Sequence, residues 1–336
     1  MPAVKPPEKI SPPRVAWVDY AKGIGIILVV VGHTLRGLQK TPVSVPGWEL
    51  VDAWIYAFHM PLFFFLAGLF VEHSCRAPLG PFIADKARRI LWPYFVWTII
   101  QEGFRHLTGS SPLGAASLWT IIYRPVMQFW FLYVLFLLLV FYAVWRKAGG
   151  PREGFVALAF ALNISLAFGV NYGPWGVIYQ MWIYIPYLAL GVLVSRPGWL
   201  EQVEACGVPG LICLAAGGYS AIAAAVFFHA SALAGLVVPL AAGGIFASVA
   251  LAGCLSRWRQ AAGIGALGVL SLEIFVAHTI FASSFRQFLL AVGIHNAGLH
   301  VAGGIAMGLA GPVILVALCK HFRLLFLFSL PAKHRA

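Results

Sequence analysis

Charged residues are scarce in this chain. Of its 336 residues, 23 are Lys or Arg and 11 are Asp or Glu, so charged residues make up only 10%. Soluble domains carry about 25% charged residues, and so few charges cannot cover a chain that is 61% apolar. Disordered chains are poor in aromatic residues, whereas Phe, Trp and Tyr make up 14% here. The composition therefore excludes a soluble domain and a disordered chain.

Cysteine is also scarce, with five residues in the whole chain. No two of them have the spacing of a metal site or of a redox pair. We therefore expect no disulfide, no zinc and no other metal cofactor. The five are Cys75, Cys206, Cys213, Cys254 and Cys319.

The sequence contains many long apolar runs. Runs of about 18 or more apolar residues predict membrane-spanning helices, and they lack the alternation of a transmembrane β-barrel. The sequence thus predicts an all-α fold, a polytopic transmembrane helix bundle of about ten spans. The predicted spans are 20–38, 50–71, 90–107, 127–146, 154–171, 177–195, 208–229, 234–255, 263–290 and 298–319.

The distribution of positive charge predicts the orientation of the bundle. If the N-terminus is cytoplasmic, 18 of the 23 Lys and Arg residues lie in inner segments and five in outer ones. Because short cytoplasmic loops are rich in Lys and Arg, both termini are predicted to be cytoplasmic. The formal net charge of +12 then follows from topology and attraction to the lipid bilayer, without a nucleic-acid partner. The outer five are Arg36, Lys40, Arg105, Arg124 and Arg286.

Three segments are predicted along the chain. Residues 1–18 combine several prolines with mixed charges, which is typical of a flexible cytoplasmic tail. Residues 19–322 contain all the predicted spans and form the membrane domain. Residues 323–336 are predicted to be a cytoplasmic C-terminal tail.

Four ionisable side chains fall at a similar depth, near the middle of predicted spans. At a rise of about 1.5 Å per residue, His33, His59 and Glu273 each lie roughly 15 Å into their spans, and His278 lies somewhat further. An ionisable group inside a span costs at least ~2.5–3.5 kcal/mol, so its presence indicates function. Four such groups at similar depth, from three spans, predict one polar cavity.

Each of these residues also has a structural interpretation. A lone histidine in a membrane is often a hydrogen-bonding residue between helices, which applies to His59 and His278. Glu273 could be a neutral, hydrogen-bonded residue of the core. Asp19 could be the N-cap of the first span, where its carboxylate would accept backbone N–H bonds.

Basic residues cluster at the inner end of the third predicted span. Lys86, Arg88 and Arg89 precede Pro93. Anchoring of the topology explains such a cluster, and for Lys86 we prefer that explanation. A site for the phosphates of a cytoplasmic ligand is the alternative, because Arg binds phosphate through two parallel hydrogen bonds.

Five segments carry recognisable motifs, in order along the chain. Lys22 and His33 are separated by ten residues. Together with the segments that follow, they resemble the acyltransferase-3 family of integral membrane O-acyltransferases, and the fucose 4-O-acetylase-like sub-group looks closest. The late segment differs in having Phe275 where Tyr is commoner in the family. The other matching segments are FHMPLFFFLAG (58–68), RRILWPY (88–94), WFL followed by LF (130–136) and SLEIFVAH (271–278).

The resemblance implies an enzyme of the bacterial inner membrane. Such an enzyme moves an acyl group, usually acetyl, from cytoplasmic acyl-CoA to a hydroxyl of a cell-surface or exported glycan or glycolipid. The donor phosphates are then expected at Lys22, Arg88 and Arg89, with Arg257 and Arg259 as further candidates.

The acceptor is expected to enter this enzyme from the outer side. Two routes are open: one past Gln101, Glu102 and Arg105, the other past the loop at residues 171–175.

The resemblance makes His33 the central catalytic candidate. A neutral imidazole can take a proton from a sugar hydroxyl near pH 7, or His33 could be acylated first. Glu273 or Asp19 could orient its ring, and depth favours Glu273. His59 and His278 complete the predicted site.

A transporter or proton-coupled flippase is the competing prediction. Intramembrane His and Glu also form proton relays, and a span broken by a proline such as Pro239 can form a binding site. No inverted repeat is visible in the sequence, and the order of the motifs would then be a coincidence.

Overall fold

A computed structural model describes residues 15–109, 115–196, 198–229 and 234–331. The outermost parts of the two predicted tails, residues 1–14 and 332–336, lie outside the described residues, so the division into tails and membrane domain stays a prediction. The first helix begins at Ala16, within the segment assigned to the N-terminal tail.

The described residues form helices joined by short connections, and no β-strand occurs among them. A π-helical turn, Ala87–Leu91, connects α4 to α5, and short 3₁₀ turns include Met127–Phe129 and Leu325–Leu327. The α-helices are α1 (Ala16–Leu38), α2 (Trp48–Tyr56), α3 (His59–Ser74), α4 (Leu79–Lys86), α5 (Trp92–Leu107), α6 (Trp130–Lys147), α7 (Arg152–Ala167), α8 (Gly176–Val194), α9 (Trp199–Ala205), α10 (Val208–Phe227), α11 (Ala234–Leu255), α12 (Ala262–Val269), α13 (Ser271–Ala291) and α14 (Ala297–His321).

The polytopic helix bundle predicted from the sequence is confirmed. In the described part of the chain, 8 helical stretches are long and apolar enough to cross a membrane. The predicted spans 90–107 and 154–171 correspond to α5 and α7, which have 16 residues each and are not among the eight. The number of crossings and the orientation of the termini stay predictions.

Two of the predicted spans are broken helices. The span 50–71 divides into α2 and α3 at Phe58, whose φ of −143° is not helical. Pro61 explains the break, because it has no N–H for the carbonyl of Ala57 and its ring would clash with that carbonyl in a continuous helix. The span 263–290 divides at Leu270, where ψ is +17°.

Helix α1 lies at the centre of the bundle. It packs against α2, α3, α11, α12, α13 and α14. Two glycines allow α1 and α12 to touch backbone to backbone: a Cβ on Gly268 would lie 1.7 Å from the Asp19 carbonyl oxygen, and one on Gly23 would lie 2.0 Å from the Ile264 carbonyl oxygen. The close contact fixes α1 against the start of the broken span.

Asp19 does not cap α1. The residue before the helix is Val15, which makes no side-chain cap hydrogen bond, and Asp19 lies within the first turn. The Asp19 carboxylate instead approaches the Lys22 ammonium at 3.9 Å. The N-cap interpretation of Asp19 is therefore wrong.

The C-terminal segment folds back onto the bundle. The indole N–H of Trp92 donates to the Phe326 carbonyl at 2.6 Å, and that of Trp97 donates to the Leu327 carbonyl at 3.0 Å. The ring of Phe328 also packs against Trp97, with centroids 5.2 Å apart. The described beginning of the predicted C-terminal tail thus packs against α5.

Candidate active site

Two histidines from distant parts of the sequence meet inside the bundle. Nδ1 of His33 in α1 lies 2.7 Å from Nε2 of His278 in α13, although 245 positions separate them. The rings stack with centroids 4.9 Å apart. His278 is fully buried, whereas His33 is partly exposed to a cavity.

The surroundings of His278 fix the tautomers of both rings. Its Nδ1 lies 3.0 Å from the Ile274 carbonyl and 2.8 Å from the Phe275 carbonyl. A carbonyl only accepts hydrogen bonds, so Nδ1 of His278 carries the proton and Nε2 of the neutral ring accepts. Nδ1–H of His33 therefore donates to His278, which leaves the lone pair of neutral His33 on Nε2.

His59 lies beside this pair, at the break between α2 and α3. Its Nδ1–H donates to the Ile55 carbonyl at 2.9 Å, and its ring packs edge-on to Tyr56 at 4.5 Å. His59 is close enough to interact electrostatically with His33. The structure thus brings together three of the four ionisable residues predicted at similar depth in the spans.

Glu273 is set apart from the histidines. It lies in the first turn of α13, five residues before His278, which is about 7.5 Å along the helix and about 140° around it. Among the described residues, no hydrogen bond or ion pair joins its carboxylate to another residue. Similar depth therefore does not place Glu273 against His33.

An outer cavity of about 660 Å³ begins at His33. It lies between the C-terminal halves of α1, α5 and α13 and the turn before α6, on the predicted outer side. Gln101 and Arg105, predicted on the acceptor route, line it. Glu102 is 3% exposed and forms an ion pair with Arg105 at 2.5 Å.

Three polar side chains in this cavity form a closed hydrogen-bond network. The Gln128 amide N–H donates to the Gln101 amide oxygen at 2.7 Å and to the Thr279 hydroxyl at 3.0 Å. The Thr279 hydroxyl donates to the same Gln101 oxygen at 2.7 Å. Sequence reasoning missed Gln128 and Thr279. Two signals were available: Thr279 directly follows His278, and a buried amide such as that of Gln128 needs a hydrogen-bond partner.

A second, inner cavity of about 250 Å³ lies on the predicted cytoplasmic side. Lys22 and Arg89 line it among mostly apolar side chains. Arg88 does not line it, and its guanidinium approaches Asp85 at 4.0 Å. Phe275 also lines this cavity, and its ring lies 6.2 Å from that of His278. The inner cavity therefore ends beside the histidine pair.

Lys86 belongs to the loop structure between α3 and α4. Its ammonium donates to the Ser74 hydroxyl at 3.3 Å and lies 5.3 Å from the centroid of the Phe82 ring. Burial lowers the pKa of Lys86. These contacts agree with the anchoring interpretation that we prefer for this residue.

The cytoplasmic candidates Arg257 and Arg259 lie after α11. The Arg257 guanidinium donates to the carbonyls of Glu204 and Cys206, both at 2.8 Å, so it closes the connection between α9 and α10. Neither arginine lines the inner cavity. In the described part of the chain, no group of three or more His, Cys, Asp or Glu residues is placed to hold a metal ion.

The two cavities approach the histidine pair from opposite sides. His33 lines the outer cavity, and its neutral ring can accept a proton at Nε2. Phe63, Phe131 and Phe275 line the inner cavity, and the Phe131 ring packs against the other two, with centroids 5.8 and 5.3 Å apart.

A family model described as an acyltransferase domain matches residues 15–317. Two curated relatives are each named nodulation protein NolL. The one from Sinorhizobium fredii (strain NBRC 101917 / NGR234) is 31% identical over 126 residues, which cover 34% of this chain and 32% of the relative. The one from Mesorhizobium japonicum (strain LMG 29417 / CECT 9101 / MAFF 303099) is 24% identical over 190 residues, which cover 55% of this chain and 49% of the relative. The matched segments thus span half the length of these relatives or less, and no solved structure matches the chain.

Proposed function

The chain belongs to the acyltransferase-3 family, whose domain covers residues 15–317, and from this membership we propose the reaction of a membrane O-acyltransferase. The acyl group, acetyl in the first instance, moves from acyl-CoA to a hydroxyl of a cell-surface or exported glycan or glycolipid. The multi-pass bundle places this reaction in a membrane, which we propose is the bacterial inner membrane. Membership of the fucose 4-O-acetylase-like sub-group stays a prediction.

The observation that carries this proposal is the His33–His278 pair between two cavities. Nε2 of His33 takes the proton of the acceptor hydroxyl while the hydroxyl oxygen bonds to the acyl carbon. The bond from that carbon to sulfur breaks, and the CoA sulfur leaves with the proton from Nε2. His278 accepts the Nδ1–H bond throughout and stabilises the positive ring of His33, as a carboxylate does in a catalytic triad.

Acylation of His33 before transfer is the alternative order of steps. In that route Nε2 itself forms the bond to the acyl carbon, CoA leaves, and the acceptor hydroxyl then displaces the histidine. Both routes require the lone pair on Nε2, which the contact with His278 provides.

The inner cavity is proposed as the donor site. Lys22 and Arg89 line its cytoplasmic end. Arg88 and Arg89 share the single carboxylate of Asp85, at 4.0 and 2.9 Å, so net positive charge remains there for the CoA phosphates. The apolar walls suit the pantetheine arm and the acyl chain. The outer cavity is proposed as the acceptor site, because its network of Gln101, Gln128 and Thr279 offers hydrogen bonds to sugar hydroxyls.

Replacement of His33 tests this function. We expect His33→Ala to reduce acyl transfer by about 10²–10⁴-fold, because the base is removed. The measurement is release of free CoA from acetyl-CoA by the purified full chain, with a glycan extract as acceptor. Circular dichroism and gel filtration in detergent check that the variant is folded.

The matched control is His73→Ala, since His73 is an exposed histidine at the end of α3, away from both cavities. This variant should keep wild-type turnover. Turnover by His33→Ala at the wild-type rate would exclude both the general-base and the acyl-histidine roles. A transporter or proton-coupled flippase, the competing prediction, would not release CoA in any of the three proteins.

A further inference from the structure

Positive charges on the predicted outer side converge on one cavity. The positive-inside rule disfavours Lys and Arg in outer segments, and this chain has five there. Four of the five, Arg36, Lys40, Arg105 and Arg286, line the outer cavity beside His33, whereas Arg124 does not. Anchoring in the membrane does not explain this clustering, so it indicates a ligand.

Two of these four cations are neutralised within the protein. Arg36 holds Asp52 through two parallel hydrogen bonds of 2.6 and 2.8 Å. Arg105 pairs with Glu102 at 2.5 Å. In each pair one carboxylate balances the charge of one arginine, so an added anion gains less there than beside a cation without a counter-ion.

Arg286 and Lys40 have no such counter-ion among the residues that the structure describes. Within the described ranges, neither side chain makes a hydrogen bond or an ion pair. Lys40 is exposed at the end of α1, while Arg286 is half-buried in α13. A half-buried guanidinium has lost part of its hydration, and attraction to a bound anion would offset that cost.

The position of Arg286 relates it to the reacting atoms. A Cβ on Gly37 would lie 2.2 Å from Nη1 of Arg286, so the guanidinium rests against the bare backbone of α1. Gly37 is four residues beyond His33 on the same helix, a rise of about 6 Å. An anion on Arg286 would therefore lie about one helical turn outward of Nε2 of His33, within the span of one sugar unit and its neighbour.

We propose that the acceptor is anionic: a carboxylate or phosphate on the acylated sugar or on the adjoining unit binds Arg286, with Lys40 at the rim of the cavity. The planar guanidinium holds either group through two parallel hydrogen bonds. This assignment rests on the proposed function for the identity of the acceptor, but the binding of the anion can be measured without any acyl transfer.

Binding of matched sugars to the full chain tests the assignment. The probes are glucose, glucuronate and glucose 6-phosphate, and the readout is the dissociation constant from thermal-shift titration in neutral detergent, without acyl-CoA. Wild-type protein should bind one of the charged sugars at least about tenfold more tightly than glucose. Whichever charged sugar binds more tightly identifies the group as carboxylate or phosphate.

Variants of the outer arginines locate the binding site. Arg286→Gln should abolish the preference for the charged sugar, and Arg286→Lys should keep part of it, because Lys keeps the charge but not the fork of donors. Arg124→Gln is the matched control, since Arg124 is an outer arginine outside the cavity, and it should keep the full preference. If Arg286→Gln does not fold, the Lys variant and the loss of preference between about 0.05 and about 0.5 M NaCl carry the test.

Three results would overturn the assignment. The first is equal binding of all three sugars by the wild type. The second is a preference that Arg286→Gln leaves unchanged. The third is a preference seen in phosphatidylcholine nanodiscs but lost in phosphatidylglycerol nanodiscs, because the anion would then be a lipid headgroup. Charged-sugar binding in a protein that never releases CoA would overturn the proposed function and leave the anion site intact.

Discussion

At the scale of single residues, the proposed chemistry depends on which ring nitrogen of His33 carries a proton. The two carbonyls at Nδ1 of His278 make that nitrogen a donor, and the hydrogen bond to His33 then directs the lone pair of His33 to Nε2. The role that sequence reasoning gave to Glu273, orienting the catalytic ring, is thus one that His278 is placed to perform. In the proposed reaction His278 acts through His33 and is a positioning residue.

Variants of His278 and Glu273 should differ in their effect on kcat. His278→Ala should lower kcat by about 10²-fold or more, because the tautomer of His33 is no longer fixed, with little change in the KM for acetyl-CoA. His278→Gln should recover part of kcat, since its amide oxygen can accept the Nδ1–H bond in place of Nε2. Glu273→Gln should lower kcat much less than His278→Ala does.

Steady-state kinetics on the three variants check this prediction. A purely structural role of His278 would lower the stability of both variants and give Gln no advantage over Ala. Equal losses of kcat in Glu273→Gln and His278→Ala would return Glu273 to the site, contrary to its position in the structure.

The sequence predicted that ionisable residues from different spans lie together, but not which of them are in contact. His33, His59 and His278 stood out because ionisable groups are rare near the middle of a span. Counting residues along a helix predicts the depth of a side chain in the membrane. It does not predict which neighbouring helix the side chain faces, because that depends on how the helices pack. Gln128 and Thr279 were missed for the same reason, because an uncharged polar residue is common enough in membrane helices to carry little signal.

At the scale of helices, the bundle is organised by breaks and by close contacts. The break before α3 lies next to His59, which is beside the histidine pair. The break at Leu270 divides one predicted span into two helices, α12 and α13, that both pack against α1. Apolar runs predicted these spans as continuous because hydropathy does not change at either break. Pro61 was the available signal for the first break, and the second has no comparable signal in the sequence.

The second prediction concerns the contact of α1 with α12. Gly268→Ala would place a methyl group 1.7 Å from the Asp19 carbonyl oxygen, so the helices must separate. Such overpacking costs about 1–3 kcal/mol or more, and it would move His33 relative to His278. We expect a lower midpoint of thermal denaturation in detergent and a lower kcat.

The matched control for this prediction is in the same helix. A Cβ on Gly263 has open space within 4 Å, so Gly263→Ala should add up to about 1 kcal/mol of helix propensity without a clash. Its denaturation midpoint should equal or exceed that of the wild type. Equal midpoints for Gly268→Ala and Gly263→Ala would show that α1 and α12 are not packed backbone to backbone.

At the scale of the whole molecule, the two cavities define two directions of access. Lys22 and Arg89 line the inner cavity, and Arg286 lines the outer cavity. A reaction between a cytoplasmic donor and an outer acceptor needs this separation, and it also needs the bundle to be oriented as the positive-inside rule predicts. The orientation is therefore the property of the whole molecule on which the proposed function depends.

The last prediction tests that orientation by chemical labelling of thiols. Cys206 is exposed in the connection after α9, on the predicted inner side, and Val170 is 47% exposed in the loop between α7 and α8, on the predicted outer side. A membrane-impermeant maleimide should modify the Val170→Cys variant in intact spheroplasts and should modify Cys206 only after permeabilisation. Peptide mass spectrometry distinguishes the two positions. Cys75 is an internal control, because burial raises its pKa to about 11 and the reactive thiolate is scarce near pH 8.

The opposite labelling pattern would have a specific consequence. Modification of Cys206 in intact spheroplasts, with the Val170→Cys position protected, would mean that the bundle has the opposite orientation. Lys22 and Arg89 would then face outward, where no acyl-CoA is available, and the inner cavity could not be the donor site. Transfer from a cytoplasmic donor to an outer acceptor would then be excluded even if His33 proved essential for turnover of acyl-CoA in detergent.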